Sequence, residues 1–153
     1  MFTGATSLSM DAKGRLAVPS RFRERLIELC AGRMVVTISL FNECLSLYPA
    51  PSWQRLGEEI AALPADPGNR SIQQLLFGYA EDVDLDSNGR ISLGATLREF
   101  AHLSKERKLR FFGQGHRFEI WDEGRWTEEQ AGLLARAREN LATSDGIRTL
   151  SSL

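Results

Sequence analysis

The chain is poor in the residues that cross-link, ligate metals or catalyse reactions. Its 153 residues include two cysteines, Cys30 and Cys44, which excludes a disulfide framework. The two histidines, His102 and His116, have no partner residues at metal-ligand spacing. Neither a Gly-x-Ser-x-Gly elbow nor a phosphate-binding loop occurs. We therefore expect no metal, no cofactor, no small-molecule substrate and no enzyme activity.

Long apolar runs and an excess of one charge are missing as well. No apolar stretch approaches the roughly 20 residues that cross a bilayer, and no export signal is visible at the N-terminus. These absences lead us to expect a cytoplasmic protein with no membrane partner. The 19 Lys+Arg residues balance 20 Asp+Glu residues, for a formal net charge of -1. Any argument for nucleic-acid binding must therefore be local.

An internal repeat is the strongest pattern that the sequence contains. Residues 11–24 read DAKGRLAVPSRFRE, and residues 86–99 read DSNGRISLGATLRE at an offset of 75 residues. Asp, Gly, two Arg and Glu coincide, and three apolar positions stay apolar. A second matching pair lies downstream: LSLY at 45–48 with Trp53, and FEIW at 118–121 with Trp126. We infer two homologous half-units in one chain.

The sequence of each half-unit predicts the same order of elements: strand, tight turn, strand, short helix and hairpin. Asp11 and Gly14 stand at the first and fourth positions of the first turn, where a type I turn favours Asp and Gly. Pro19 lacks the amide of a central ladder, so it ends the returning strand. The predicted strands are 6–10, 15–18, 34–38, 44–48, 109–112 and 117–121. Because half-units this small bury little surface alone, we expect them to share one core by exchanging strands.

Helices are expected after each short strand pair and each hairpin. The predicted ranges are 21–30, 53–63, 71–79, 96–102 and 127–141. Ser20 and Ser52 are candidate N-caps, and Thr127 opens a capping-box sequence. In the first helix Phe22, Leu26 and Leu29 are expected to share a buried face.

The charge pattern is more informative than the total charge. Residues 11–25 hold five basic and two acidic residues, and residues 105–110 hold four basic and one acidic. These charges are typical of solvated faces, and Asp11 with Arg15 is typical of an ion pair across a turn. For Arg15 and Arg90 there is a second interpretation, since a turn that aims a guanidinium outward suits phosphate and guanine.

A calcium site is the competing interpretation of the second turn. Asp84, Asp86 and Asn88 match the opening positions of an EF-hand loop. That loop requires a bidentate Glu at its twelfth position, where this sequence has Ala95. The equivalent first turn also has Lys13 where a ligand would be required, so we disfavour calcium.

A family resemblance rests on several of these residues together. The motifs are MFxGA at 1–5, the two Asp-x-x-x-Arg segments, LxVP at 16–19 with Arg23, and LYPxxxW at 47–53. In this order and length they resemble the MraZ family, which is built from two tandem SpoVT-AbrB-type modules. The resemblance implies a mixed, mainly β fold: a pseudo-symmetric swapped-hairpin β-barrel from two tandem repeats, with flanking α-helices. The implied segments are module 1 at 5–47, a helical connector at 48–75, module 2 at 76–120, and a C-terminal helix and tail at 121–153.

The resemblance also implies a function. Members of the family are transcriptional regulators, usually repressors, of the bacterial division and cell-wall gene cluster. They bind double-stranded DNA at short direct repeats in its promoter, assemble into ring-shaped homo-oligomers, and localise to the cytoplasm and nucleoid. The alternative is a protein-interaction module of the antitoxin type. It is disfavoured because such antitoxins usually carry one module and a disordered toxin-binding tail, whereas this chain has two modules and a short polar end.

Site residues follow from the resemblance position by position. Its DNA-binding residues are Arg15 and Arg90 in the turns, Lys13 and its counterpart Asn88, and the helix arginines Arg23 and Arg98. Its loop-shaping residues are Asp11, Gly14, Asp86 and Gly89. The sequence departs from the pattern at Gly94, where the module usually has Pro, and at the neutral Asn88. We therefore expect the first module to contribute more binding energy per subunit.

Overall fold

Strands and short helices alternate along the chain. The computed structural model describes residues 1–143, 150 and 152. Its elements, in chain order, are β1 (Phe2–Leu8), β2 (Arg15–Ala17), α1 (Ser20–Cys30), β3 (Arg33–Ile38), β4 (Leu45–Pro49), α2 (Ala50–Ala61), α3 (Pro67–Gly78), β5 (Glu81–Asp84), β6 (Arg90–Ser92), α4 (Ala95–Phe100), β7 (Leu109–Gly115), β8 (Phe118–Asp122) and α5 (Glu123–Thr143). They form two compact units, Met1–Glu123 and Gly124–Leu153. The end of the predicted C-terminal tail, at 144–149, 151 and 153, lies outside the described residues.

The first unit is built on an antiparallel sheet of six strands in the order β1-β7-β8-β4-β3-β5. The two remaining strands, β2 and β6, pair with each other in a separate ribbon. The expected mixed, mainly β fold with helices is confirmed, and no closed barrel is found among the described residues. Strands β1 and β5 are the two edges of the six-stranded sheet.

The sheet mixes strands of both half-units. Strand β1 of the first half pairs with β7 of the second, from Phe2 opposite Gly115 to Leu8 opposite Leu109. Strand β5 of the second half pairs with β3 of the first, from Arg33 opposite Asp84 to Val36 opposite Glu81. Each half therefore places its first strand on the edge of the other half's hairpin.

One hydrophobic core lies between the sheet, the ribbon and the short helices. Phe22 on α1 contacts the rings of Phe2 and Phe118, with centroids 5.8 and 5.1 Å apart. Phe2 and Phe118 are themselves 4.5 Å apart. Phe22 of α1 and Leu97 of α4 stand at equivalent places of the two halves, and both are buried. Both halves fill the same core, which compensates for the small surface that either could bury alone.

The helices form near where the sequence predicts them, but the three predicted N-caps are wrong, and α3 begins at Pro67, four residues before its predicted start at 71. Helices α1 and α2 follow directly on Pro19 and Pro49, whose extended backbone enters the helix without a side-chain cap. Ser20 is therefore the first residue of α1, and Ser52 lies inside α2. Proline supplies a preset φ, and Pro51 in the first turn of α2 removes an amide that would otherwise be unpaired. Thr127 likewise lies inside α5, which begins at Glu123.

The tight turns of the two halves hold each other in place. The amide of Val18 donates to the Gly89 carbonyl at 3.0 Å, and the amide of Leu93 donates to the Gly14 carbonyl at 2.8 Å. Gly14 and Gly89 are buried, with φ of 81° and 75°, a region that L side chains rarely adopt. Each turn thus closes against the chain that follows the other turn.

The departure from the family pattern at Gly94 has a local explanation. The Glu81 carboxylate occupies the space beside Gly94 that a Cβ would take. At Gly14, in contrast, a Cβ would lie 2.6 Å from the backbone carbonyl oxygen of Leu93. A long flexible side chain can move aside, whereas a backbone carbonyl moves only if the chain around it moves.

We expect Gly14→Ala to lower the free energy of unfolding by about 1–3 kcal/mol, because the new side chain meets both a strained φ and a fixed backbone atom. Gly94→Ala is the matched control, with φ of -66° and only the Glu81 carboxylate to displace. Its expected effect is within about 0.5 kcal/mol. Urea denaturation followed by circular dichroism measures both, and equal losses would contradict the assigned role of the Gly14 turn.

Candidate nucleic-acid interface

The ribbon of β2 and β6 brings the two turn arginines onto one face. Arg15 lies opposite Ser92, and Arg90 lies opposite Ala17, so these four residues share a face. The residues between them, Leu16 and Ile91, point the other way into the core. Arg15 and Arg90 are diagonal neighbours on adjacent strands, a relation that places Cα atoms about 7–8 Å apart.

The first turn is organised by one carboxylate. Asp11 Oδ1 accepts hydrogen bonds from the amides of Lys13 and Arg15, at 3.0 and 2.9 Å. Asp11 Oδ2 accepts from Arg15 Nε at 2.7 Å. The Gly14 amide donates to the Asp11 carbonyl at 3.0 Å and closes the turn. Backbone and guanidinium are thereby held by the same side chain.

The second turn repeats this arrangement bond for bond. Asp86 Oδ1 accepts from the amides of Asn88 and Arg90, at 2.8 and 2.9 Å, and Oδ2 accepts from Arg90 Nε at 3.2 Å. The Gly89 amide donates to the Asp86 carbonyl at 3.0 Å. The sequence repeat is therefore also a repeat of hydrogen bonds. Both carboxylate oxygens of Asp86 therefore accept hydrogen bonds from within the turn, and together they hold the backbone and the guanidinium of Arg90.

Hydrogen bonds keep both turn carboxylates charged. The Arg15 amide, before any other group, lowers the pKa of Asp11 below its ordinary 3.8. The Arg90 amide does the same to the pKa of Asp86. A carboxylate with a depressed pKa stabilises the fold above its ordinary pKa and loses that contribution as the pH falls. Both turns are thus fully organised at neutral pH.

The carboxylates leave part of each guanidinium available. The side chains of Arg15 and Arg90 are 34% and 32% exposed. Within the described part of the chain, each donates a side-chain hydrogen bond only through Nε. The two Nη groups therefore remain as a planar pair of donors, the geometry that suits a phosphate or the O6 and N7 edge of guanine.

The two helix arginines support the turns of the opposite half. Arg23 of α1 donates from Nε to the Val18 carbonyl at 2.7 Å and lies directly against Gly89. Arg98 of α4 lies against Gly14, and its buried Nε has no hydrogen-bond partner among the described residues. Both are half-buried. A role at DNA for these two stays a prediction, and in the structure they position the turns.

The remaining predicted residues differ in charge between the turns. Lys13 and Asn88 are exposed at equivalent places. The first turn holds Lys13 and Arg15 against Asp11, while the second holds Arg90 against Asp86, for formal charges of +1 and 0. The small residues Ala17 and Ser92 lie opposite the two arginines on this face and are not among the predicted site residues. The sequence did contain a signal for them: they alternate with the apolar residues Leu16 and Ile91, which places them on the opposite, exposed face of the strands.

The second basic segment of the sequence is engaged within the protein. Arg107 pairs with the buried carboxylate of Asp122, with Nε to Oδ1 at 2.6 Å. Arg110 pairs with Glu123 at 2.9 Å, and this hydrogen bond lowers the pKa of the Glu123 carboxyl. These ion pairs tie the hairpin of β7 and β8 together and account for two of the four basic residues in the segment.

In the part of the chain that the structure describes, no three His, Cys, Asp or Glu side chains lie together in a way that could hold a metal ion. Burial raises the pKa of the Cys44 thiol to about 12. None of the described helices has both the length and the apolar character of a membrane span.

Comparison with known proteins gives a consistent result over the whole chain. The family described as "MraZ protein, putative antitoxin-like" matches residues 1–74 and again residues 76–145. A protein of Alkalilimnicola ehrlichii named Transcriptional regulator MraZ is 45% identical over 141 residues, 92% of this chain and 93% of the relative. Relatives of the same name from Idiomarina loihiensis and Pseudomonas aeruginosa are 46% and 41% identical. The match to the Idiomarina loihiensis protein covers 91% of each chain, and the match to the Pseudomonas aeruginosa protein covers 98% of this chain and 99% of the relative.

The two successive family matches correspond to the two halves that exchange strands in the sheet. Because these matches and the relatives extend over nearly the full length, the chain belongs to the MraZ family.

Proposed function

We propose that this protein is a sequence-specific DNA-binding transcriptional regulator. The observation that carries the proposal is the pair of half-exposed arginines on one face of the ribbon, each held at Nε by the aspartate of its own turn. The relatives' shared name, Transcriptional regulator MraZ, supports the same conclusion.

The ribbon has the form of a reader of the DNA major groove. That groove is about 12 Å wide and admits a two-stranded β-ribbon. Arg15 and Arg90 extend from the ribbon's exposed face, with the short side chains of Ala17 and Ser92 between them. Because Asp11 and Asp86 already order the guanidiniums, less conformational freedom is lost when base edges or phosphates take up the Nη donors.

A single subunit supplies few cations, so affinity depends on several subunits acting together. We propose a ring-shaped homo-oligomer that presents the same ribbon to successive short direct repeats. Once one subunit is bound, the next contacts form at high effective concentration. The first turn, with its formal charge of +1, contributes more than the neutral second turn.

The proposed target is the promoter of the division and cell-wall gene cluster, with repression as the mode of action. This assignment rests on the family resemblance. A protein that occupies promoters works on the chromosome, so the proposed location is the cytoplasm at the nucleoid.

We expect Arg15→Ala to abolish specific promoter binding, because each good arginine–guanine contact is worth about 1–3 kcal/mol and the loss multiplies over the engaged subunits. Arg90→Ala should weaken binding less. Arg70→Ala is the matched control, since it removes one exposed positive charge from α3. Gel-shift titration measures all three, with circular dichroism and oligomer mass expected to stay unchanged. Promoter binding by Arg15→Ala at wild-type affinity would remove Arg15 from the site.

Arg15→Lys separates geometry from charge. Lysine keeps the positive charge but cannot both bind Asp11 and present two coplanar donors. We expect specific affinity to fall by roughly 5- to 150-fold, while the slope of log K against log salt stays the same. Binding titrations on promoter and scrambled DNA at several salt concentrations measure both quantities. A change of about 0.9 in the slope, with specificity retained, would instead indicate a lost phosphate contact.

Footprinting on the DNA upstream of the protein's own gene tests the target. We expect protection of regularly spaced direct repeats, because identical ribbons on successive subunits contact successive repeats. Scrambling one repeat while keeping the spacing of the others is the control and should reduce occupancy of the whole site. Uniform protection without a repeat would contradict the proposed specificity.

A further inference from the structure

The hairpins of the two halves end in tips of opposite chemistry. We call residues 39–44, between β3 and β4, the first tip, and residues 114–117, from the end of β7 to the start of β8, the second tip. The first tip reads SLFNEC, with two large apolar side chains and one carboxylate. The second reads QGHR, with a histidine and an arginine. These are equivalent places in the repeat, so the repeat itself does not account for the difference.

The first tip presents an aromatic ring on an ordered loop. Phe41 is 88% exposed, the most exposed of the large apolar side chains in the part of the chain that the structure describes. Ser39 Oγ accepts a hydrogen bond from the Phe41 amide at 3.1 Å, and the Ser39 amide donates to the Cys44 carbonyl at 3.0 Å. Leu40 lies beside it, and the exposed Glu43 follows. An exposed ring on a preorganised loop loses little entropy on binding and is typical of an interface anchor.

The second tip borders a groove of about 430 Å³. Its apolar residues include Met1, Leu29 and Pro51, and its cationic residues include Arg25 and Arg55, beside His116 and one carboxylate, Glu28. Leu29 was expected in the core with Phe22 and Leu26, but it is 51% exposed and lines this groove instead. Within the described residues Arg55 forms no salt bridge, so its charge is available to a partner.

The first tip and the groove lie at opposite ends of the sheet. Leu45, just after the first tip, pairs with Ile120, whereas Leu47 pairs with Phe118, just after the second tip. The hairpins therefore point in opposite directions, and a chain cannot insert its own first tip into its own groove. A tip at one end and a groove at the other form a head-to-tail contact between copies, which repeats around a closed assembly.

We propose that the first tip of one copy docks into the groove of a second copy. Phe41 packs on the apolar groove residues Leu29 and Pro51, and Glu43 approaches the guanidiniums of Arg25 and Arg55. The occupant is a second copy of this chain because the first tip combines an aromatic ring with a negative charge, and the groove combines an apolar surface with positive charge. The inference names the subunit contact of the proposed oligomer and rests on that part of the proposed function.

Two single variants and their mixture test the contact in the full chain without DNA. Phe41→Asp removes the anchor, and Leu29→Asp blocks the groove. Both positions are exposed, so the fold should persist, as circular dichroism checks. Light scattering coupled to size exclusion should find the wild type as an oligomer and each variant near the 17.1 kDa of one chain. Ile27→Asp, an equally exposed change on another face of α1, is the control and should keep the wild-type mass.

Mixing the two variants should give a dimer and nothing larger. The intact first tip of Leu29→Asp can enter the intact groove of Phe41→Asp. The substituted tip and the substituted groove cannot bind, so no third subunit can join. A monomeric wild type, wild-type mass in either variant, or a mixture that stays monomeric would overturn the docking proposal. A monomeric wild type would overturn the proposed ring as well, whereas wild-type mass in either variant or a monomeric mixture would overturn the docking contact alone. The Arg15→Lys test measures DNA binding and has a separate readout.

Discussion

The contact between the aspartate and the arginine of one turn, Asp11 Oδ2 to Arg15 Nε at 2.7 Å, is the interaction on which the site depends. A half-exposed ion pair of this kind adds little to stability. Its effect is geometric, because the same carboxylate also binds the amides of Lys13 and Arg15 and so couples the turn to the guanidinium. The second turn has the same set of bonds through Asp86.

The two turns depend on each other through the crossing of the halves. Leu93 and Arg98 of the second half hold Gly14 of the first turn, while Val18 and Arg23 hold Gly89 of the second. The ribbon face exists only when β2 and β6 pair, so neither half presents two arginines by itself. Duplication within one chain thus creates a two-arginine surface from a motif that contains one.

The halves keep the turn and differ elsewhere. The hydrogen bonds around Asp11 and Asp86 are the same in both halves. The hairpin tips differ, Gly94 stands where the first half has Pro19, and the neutral Asn88 stands where the first half has Lys13. Such a division is expected when one feature must act twice on a repeated ligand and the others serve different neighbours. The first tip is acidic and aromatic, whereas the groove beside the second tip is basic and partly apolar, so the two surfaces carry opposite charge.

Local patterns in the sequence determined much of the molecule: the repeat, the turns with Asp first and Gly fourth, the hairpin strands near 34–38 and 44–48, and the approximate helices. Turn chemistry and side-chain periodicity act between near neighbours, so they can be read directly from the chain. Only the tertiary structure decided that Leu29 lies outside the core, that Pro19 and Pro49 rather than serines precede α1 and α2, that the sheet stays open, and that Arg15 and Arg90 share a face. The shared face of Arg15 and Arg90 depends on pairings between residues about 75 positions apart, whose register is set by how the whole core packs and not by any local pattern.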